Sequence, residues 1–254
     1  MIETPIDHQK MATLFDADIP NRPMLFAILL GHNPGRAVVD DAAHPSQCMI
    51  RTNDALVFVS RQVEHEFLEQ ALTYFRRGGH VGLIWHPGVQ ALDPGKADRI
   101  VPRVAFSECS AQGSDHARIE ANLPGGFELC PLDLELLQRC EWKPAIQTAC
   151  GSLENFLAHG FGVCLLNGDE IISEAYAPFW GEAEVEIGVV THAAHQGRGY
   201  AALTCAHLVQ ECRRRGAEPY WSCEIDNLAS AKLARKLGFT GERRYELRLY
   251  RAAS

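Results

Sequence analysis

The sequence predicts an α+β fold in two parts, a smaller one over residues 1–124 and a larger one over 125–254. Three observations carry this. First, residues 184–191 alternate charged and apolar side chains, as a half-buried strand does, and lead through a short polar spacer into Gln196-Gly197-Arg198-Gly199-Tyr200-Ala201 and an apolar helix. Second, the segment before residue 124 has its own order of strand, strand, strand, helix, strand. Third, the segment after it reads strand, two helices, three strands, helix, strand, helix, strand.

In the first part, Pro20-Asn21-Arg22-Pro23 breaks the chain, and residues 24–30 form a short apolar helix closed by Gly31. Strands follow at 36–39 and 48–52, and Asn53-Asp54 turns the chain into a third at 55–60. Residues 64–77 place Phe67, Leu68, Ala71, Leu72 and Phe75 on one helical face, and Gly78-Gly79 ends that helix. A buried strand follows at 81–85. This part carries no phosphate loop and no catalytic cluster; Asp40 and Asp41, before His44-Pro45, have the chemistry of solvated turn residues. Connectors are expected at 93–96, 107–113 and 123–126.

The second part opens with a strand at 127–131 and a helix at 132–140, with Leu132, Leu136 and Leu137 inward. Ser152 caps the next helix and Gly160 stops it. Residues 161–166 and 170–176 form a hairpin across Asn167-Gly168, a strong two-residue turn signal. After the strand at 182–191, the helix over 199–215 puts Ala201, Cys205, Leu208, Val209 and Cys212 on one stripe and ends in Arg213-Arg214-Arg215 and Gly216, which suits the negative end of its dipole. A strand at 219–225 leads to Asp226-Asn227, the cap of a last helix bearing Leu233, Ala234 and Leu237. The segment from Phe239 closes the sheet.

Composition narrows the function. Of 254 residues, 46% are hydrophobic and 22% charged, ordinary for a soluble globular protein. No apolar run approaches the ~20 residues that span a bilayer, and the amino terminus lacks the pattern of a secretory signal. Nine cysteines without a C-x-x-C pair argue for reduced thiols in the cytoplasm, against a disulfide framework or a zinc knuckle. A net charge of −8 disfavours nucleic acid and, weakly, favours a cationic acceptor. The order of oligomerisation is left open, a homodimer included.

Gly197 and Gly199 let the backbone turn sharply against a ligand, and the amides of a new helix end beside them point one way with the positive end of the helix dipole behind. That is a phosphate site. The pattern G-x-G-x-x-A of dinucleotide folds is satisfied too, but the spacer over 191–196 and the carboxylates of Glu184 and Glu186 on one strand face argue against it. The pattern [R/Q]-x-x-G-x-[G/A] fits from Gln196 to Ala201, and Asn227-x-x-Ser230-x-x-Leu233-x-x-Lys236-Leu237-Gly238-Phe239 follows one helix and one strand later. Together these resemble the two signatures of the GNAT N-acetyltransferases. A narrower likeness, in Ser152-Leu153-Glu154-Asn155, Ile172-Ser173-Glu174-Ala175, Tyr220-Trp221-Ser222-Cys223 and Gly35-Arg36-Ala37-Val38-Val39-Asp40-Asp41, is to the branch containing zwittermicin A resistance acetyltransferases.

The resemblance implies an α/β sandwich with a mixed, mostly antiparallel central sheet and acetyl-coenzyme A as co-substrate, with no metal. It implies a small-molecule primary amine as acceptor, in a direct ternary-complex transfer. It implies that Gln196, Gly197, Arg198, Gly199, Tyr200 and Ala201 hold the pyrophosphate, and that the strand edge at Val189, Val190 and Thr191 pairs with the pantetheine arm. Asn227 and Ser230 would reach that arm from the last helix. Val190 would give its N–H to the oxyanion. By offset from the loop, Glu184 resembles the base of some relatives and Glu186 a residue that orients substrate or cofactor. The Tyr that serves many relatives as acid is replaced by Ala234, leaving Tyr200, Tyr220, Cys223 or water. That gap also admits a non-catalytic acyl-coenzyme A sensor. His192 and His195 lack a third metal ligand, and among Arg213 to Arg215, Lys232, Arg235 and Lys236 one or two could meet a 3′-phosphate.

Overall fold

Alternating apolar residues recur along the whole chain, and each run finds a partner in one sheet. The computed structural model describes residues 1–86, 95–110 and 123–253. In chain order its elements are β1 (Ile2–Thr4), α1 (His8–Met11), α2 (Arg22–Leu29), β2 (Gly35–Val39), β3 (Cys48–Thr52), β4 (Leu56–Val59), α3 (His65–Arg76), β5 (Val81–Trp85) and β6 (Arg99–Cys109). There follow β7 (Phe127–Pro131), α4 (Leu134–Arg139), α5 (Lys143–Cys150), α6 (Leu153–His159), β8 (Phe161–Asn167), β9 (Glu170–Gly181) and β10 (Glu184–Thr191). The last are α7 (Tyr200–Arg214), β11 (Glu218–Glu224), α8 (Leu228–Lys236) and β12 (Phe239–Tyr250). The mixed, mostly antiparallel α/β architecture expected from the sequence is what forms.

The strand order is β1-β2-β3-β4-β5-β12-β6-β11-β10-β9-β8-β7. Read inward from either edge it is the same succession, five strands of one half and then the sixth strand of the other. Each half also holds one parallel pair joined by a crossover helix: β4–α3–β5 in the first and β10–α7–β11 in the second. The exchanged strands β6 and β12 form a long antiparallel ladder, from Phe239 opposite Cys109 to Leu249 opposite Arg99. The sheet therefore runs without a break through the boundary expected at 124–125, and β6 lies beside β11 of the later half.

Several boundaries differ from expectation for local reasons. The connectors expected at 93–96 and 107–113 fall partly outside the described residues, and Ser107, Glu108 and Cys109 belong to β6. The helix expected at 132–140 starts later, because Asp133 is its N-cap, accepting from Leu136 N–H at 2.8 Å. The sequence reading passed over α5, which has Pro144 in its first turn.

Among the described residues three large cores, beside a small cluster around Leu165, Ile172 and Leu203, hold the sheet. Phe67, Leu68, Leu72 and Phe75 of α3 pack on Val38, Met49, Val57 and Leu83. Cys205, Leu208, Val209 and Cys212 of α7 pack on Val185, Ile187, Trp221 and Phe239. Fully burying an aliphatic side chain such as Leu208 contributes about 2 kcal/mol, so the helix that starts at the glycine loop is firmly seated. The third core, under α2 and α4 to α6, unites both halves through residues such as Ile28, Phe58, Phe156, Phe179 and Tyr245. One close approach in it is made at Gly181. A Cβ there would lie 2.5 Å from Pro23 O and 2.6 Å from Phe26 Cβ, so only glycine lets α2 rest on the end of β9.

Candidate active site

β10 and β11 pair only from Glu184 to Glu186, opposite Glu218 to Tyr220, and then part. From there β10 continues along β9, and β11 continues along β6. A fork opens whose vertex is Glu186. An extra residue in β9 between Tyr176 and Phe179, where Pro178 has no N–H to offer, breaks the β9–β10 register beside that vertex. His192 N–H donates to Ile172 O at 3.1 Å, and Val190 pairs with Glu174. The two-residue alternation therefore turns Val190 N–H toward β9 and leaves the amides of Val189 and Thr191 facing the fork.

Beyond β10, a short 3₁₀ turn (Ala193–His195) leads to the glycine loop. Gly197 and Gly199 have φ of 77° and 86°, the left-handed region that other residues enter at a cost. A Cβ at either would meet nothing within 4 Å, so the cradle is open as well as glycine-shaped. Among the described residues, no backbone carbonyl takes the amides of Gly197 to Ala201. They stand at the N-terminus of α7, where unpaired N–H groups and the helix dipole favour an anion. Gln196 Nε2 bonds back to Thr191 O at 3.0 Å, and Tyr200 stacks on Phe127 with ring centroids 5.2 Å apart, fixing both ends of the loop.

At the vertex Glu186 is half-buried. Its Oε1 accepts from Ser222 Oγ at 2.7 Å, and Asn21 Nδ2 stands 3.1 Å from each carboxylate oxygen. Arg103 Nη2 reaches Ser222 Oγ at 3.2 Å, while its Nε donates to Tyr245 OH at 2.8 Å. Burial pushes the Glu186 carboxyl up to about 6, against the opposing pull of Ser222, Arg103 and Asn21; Asp54 adds to the rise. Such a carboxylate is ionised at neutral pH yet retains affinity for a proton, as a general base requires. Glu184 is placed differently. It accepts from Arg22 Nη1 at 2.8 Å, and Arg22 Nη2 also holds Glu182 at 2.5 Å.

An anion cradle thus lies at one end of an open fork and a poised carboxylate at the other. The profile of the GNAT acetyltransferase family matches residues 12–248. The chain belongs to that family. It is 25% identical over 253 residues to the uncharacterised N-acetyltransferase YdfB of Bacillus subtilis, covering 91% of each chain. Among solved structures it is similar to a GCN5-related N-acetyltransferase-like protein of Streptococcus suis, with a TM-score of 0.75, 25% identity, and coverage of 96% of this chain and 98% of the other. It also shares its fold with a tandem GNAT protein from the clavulanic acid biosynthesis pathway, at a TM-score of 0.63, 11% identity, and coverage of 100% and 99%.

Acetyl-coenzyme A is the co-substrate of GNAT enzymes, and the residues here fit it: open glycines, loop amides that no backbone carbonyl among the described residues takes, and a strand edge with two N–H groups facing the fork. Val189, Thr191 and the loop from Gln196 to Ala201 lie along one path. Asn227 caps α8, accepting from Ser230 N–H at 3.0 Å, and Ser230 Oγ accepts from Trp221 Nε1 at 3.0 Å, so both are committed to the fold while standing on the β11 side. Val190 is the exception, since the N–H assigned to an oxyanion is taken by β9.

Other sequence candidates resolve into structural roles. Ala234, where many GNAT enzymes have Tyr, is fully buried. The Tyr220 hydroxyl, accepting from Asn21 N–H at 2.9 Å, is held well above the phenol range, first by burial and then by Glu186. Burial also raises the Cys223 thiol. His192 and His195 bond Glu174 at 2.6 Å and Glu170 at 2.9 Å. The 15-residue α7 is about 22 Å long, so Arg213 to Arg215 at its far end stand away from the loop; Arg214 and Arg215 pair with Glu211. Asp40 and Asp41 accept from amides of their own turn, Ser46 and Gln47 for one, Ala43 and His44 for the other.

The sequence missed Asn21, Arg103, Ser222 and Tyr245. Ser222 could have been found, because two-residue alternation places it on the face of Tyr220. Asn21 and Arg103 had no comparable signal, since Asn21 reaches the site through the packing of α2 on β9 and β10, and Arg103 through the pairing of β6 with β11.

Proposed function

We propose that this protein moves an acetyl group from acetyl-coenzyme A directly to a primary amine of a small molecule, with Glu186 as the base. The observation that carries this is the fork: β10 and β11 separate immediately after Glu186, and the anion cradle lies at the open end. Val189 and Thr191 would pair with the amide-rich arm of the co-substrate as a further strand would. Val189 N–H, next along the open edge, would then be the donor to the reacting carbonyl oxygen in place of Val190. Glu186 would take the ammonium proton, alone or through water, while Glu184 keeps Arg22 against the start of β10.

Tyr220 is a poor proton source for a thiolate, because a phenol raised above ~10 gives up its proton less readily than a thiol near ~8.5. Water entering the fork is the simplest donor. The first half, residues 1–124, would shape the acceptor side through Asn21, Arg22 and Arg103. The likeness to zwittermicin A resistance enzymes supports an amino-polyol antibiotic as acceptor and a self-protective role. Nine free thiols support work in the cytoplasm.

Initial rates against a panel of polyamines, aminoglycosides and amino-polyols test the reading. Glu186→Gln should lower kcat by about 10²-fold or more, and Glu184→Gln by less than about tenfold. The reverse order would return the base to Glu184. Ala234 favours a second reading, a coenzyme A sensor without turnover. Calorimetric titration with acetyl-coenzyme A, coenzyme A and NADH separates the two: binding of the first two with no product from any amine supports the sensor, and no binding removes both.

A further inference from the structure

We propose that Asn21, from the first half of the chain, is a positioning residue for this reaction: its side-chain amide clamps both oxygens of Glu186 and fixes the carboxylate in the orientation that takes the proton. The inference rests on Glu186 being the base.

Asn21 occupies the N-cap position of α2 but does no capping. Its side chain makes no bond to the helix amides, whereas the side chains of Asp133, Ser152 and Asn227 at comparable positions all do. The residue is instead held in the left-handed region, at φ 57° and ψ 33°, between Pro20 and Arg22, and is 3% exposed. Its backbone N–H is taken by Tyr220 OH at 2.9 Å, which fixes the Cα. Its Nδ2 then faces Glu186 Oε1 and Oε2 at 3.1 Å each, Ser222 Oγ at 3.0 Å and Met24 Sδ at 3.5 Å. Two protons serve these acceptors, and the amide can only donate to a carboxylate. An unusual backbone conformation, an unused capping role and a bidentate contact together serve one side chain.

The charged and titratable groups around Glu186 leave this contact to Asn21. Arg103 from β6 acts through Ser222, Tyr245 from β12 bonds Arg103, and Tyr220 from β11 bonds the Asn21 backbone. Asp54, from the turn between β3 and β4, acts by charge, and Glu184 on β10 is paired with Arg22 of α2. Donors to the ionised form favour it, so the Asn21 amide opposes the rise that burial imposes on Glu186.

The test compares wild type with Asn21→Gly, which keeps the left-handed backbone and removes the amide, and with Asn21→Asp, nearly isosteric, which faces Glu186 with a like charge. Two readouts are needed: the Glu186 carboxyl titration in ¹³C-glutamate-labelled protein, assigned with Glu186→Gln, and the pH profiles of kcat and KM. In Asn21→Gly the titration midpoint and the acid limb of kcat/KM should both move up by about half a pH unit. kcat should fall about tenfold, with KM for acetyl-coenzyme A within about twofold. Asn21→Asp should move the midpoint up by about one pH unit or more. If Asn21→Gly folds and both midpoint and kcat stay at wild-type values, Asn21 is structural and the inference fails. A shifted titration with unchanged kcat also overturns it. A shifted titration with no turnover in wild type shows the clamp but defeats the base assignment on which the inference stands.

Discussion

Replacing Glu186 by Gln removes a carboxyl group whose ionisation the fold opposes, and the effect on stability can be worked out from the site. The group sits at about 6 in the folded protein against an ordinary 4.5, so it binds its proton more tightly folded than unfolded. Its contribution to stability is present in full below the ordinary carboxyl range and is lost as pH rises through about 6. A rise from 4.5 to about 6 corresponds to about 2 kcal/mol in total, most of which disappears between pH 4.5 and pH 8. Gln at this position has no charge to lose. Its amide meets the Asn21 amide donor to donor, so the variant starts less stable at pH 4.5, by about 1 kcal/mol. The assay is urea denaturation of both proteins at pH 4.5, 6 and 8. Asp40 and Glu211, both lowered to about 2, act with the opposite sign but are common to both proteins and cancel in the comparison. The expected result is a wild-type advantage of about 1 kcal/mol at pH 4.5 that is gone by pH 8, where the variant is the equal of wild type or slightly the more stable. A gap that stays constant, or widens, would refute the claim that Glu186 is burdened by burial, and with it the case for that residue as a base poised near neutrality.

Three further substitutions probe other parts of the structure. Gly199→Ala has room for its methyl but must hold φ near 86°, so acetyl-coenzyme A should bind about tenfold more weakly in calorimetry, the strain of about 1–2 kcal/mol being set against the cofactor-ready loop. Glu174→Ala removes a fully buried carboxylate that accepts from Glu141 N–H at 2.7 Å, Trp142 N–H at 3.4 Å, His192 Nε2 at 2.6 Å and the Tyr176 hydroxyl. Leaving these donors unpaired should cost about 3 kcal/mol or more in urea denaturation. Gly181→Ala forces its Cβ against Pro23 O and Phe26, which should lower stability by about 1–3 kcal/mol and also reduce kcat, since α2 carries Asn21 at its start.

What was legible in the sequence was local. The glycine loop, the strand before it and the helix after it follow from patterns within some 30 residues, as do the Asn167-Gly168 hairpin and the caps at Ser152 and Asn227. The vertex was half legible, since alternation put Glu184 and Glu186 on one face but could not say which of them an arginine would hold. The rest depends on contacts far apart in the chain: Asn21 meets Glu186 across 165 residues, and Arg103 meets Ser222 across 119. β6 is the clearest case. Ser107 to Cys109 read as a connector because the strand gains its partners, β11 and β12, only from the later half. Val190 was misassigned for a related reason, because the direction of its N–H depends on β9, which local spacing does not reveal.

The exchange of β6 and β12 gives this protein a dependence on the strand β12, which is made after all its partners. While the chain is being synthesised, β5 has an open edge on the side where β12 will pair, and β6 waits for β11 on one side and β12 on the other. Exposed strand edges invite pairing with other chains, and ladders closed across most of the sequence form late. A truncation within residues 239–250 would therefore uncover two strands at once, β5 and β6, and detach Tyr245 from Arg103. The same arrangement makes β12 a checkpoint: the guanidinium behind Glu186 acquires its Tyr245 partner only when that strand is in place, so a chain without it lacks a finished site.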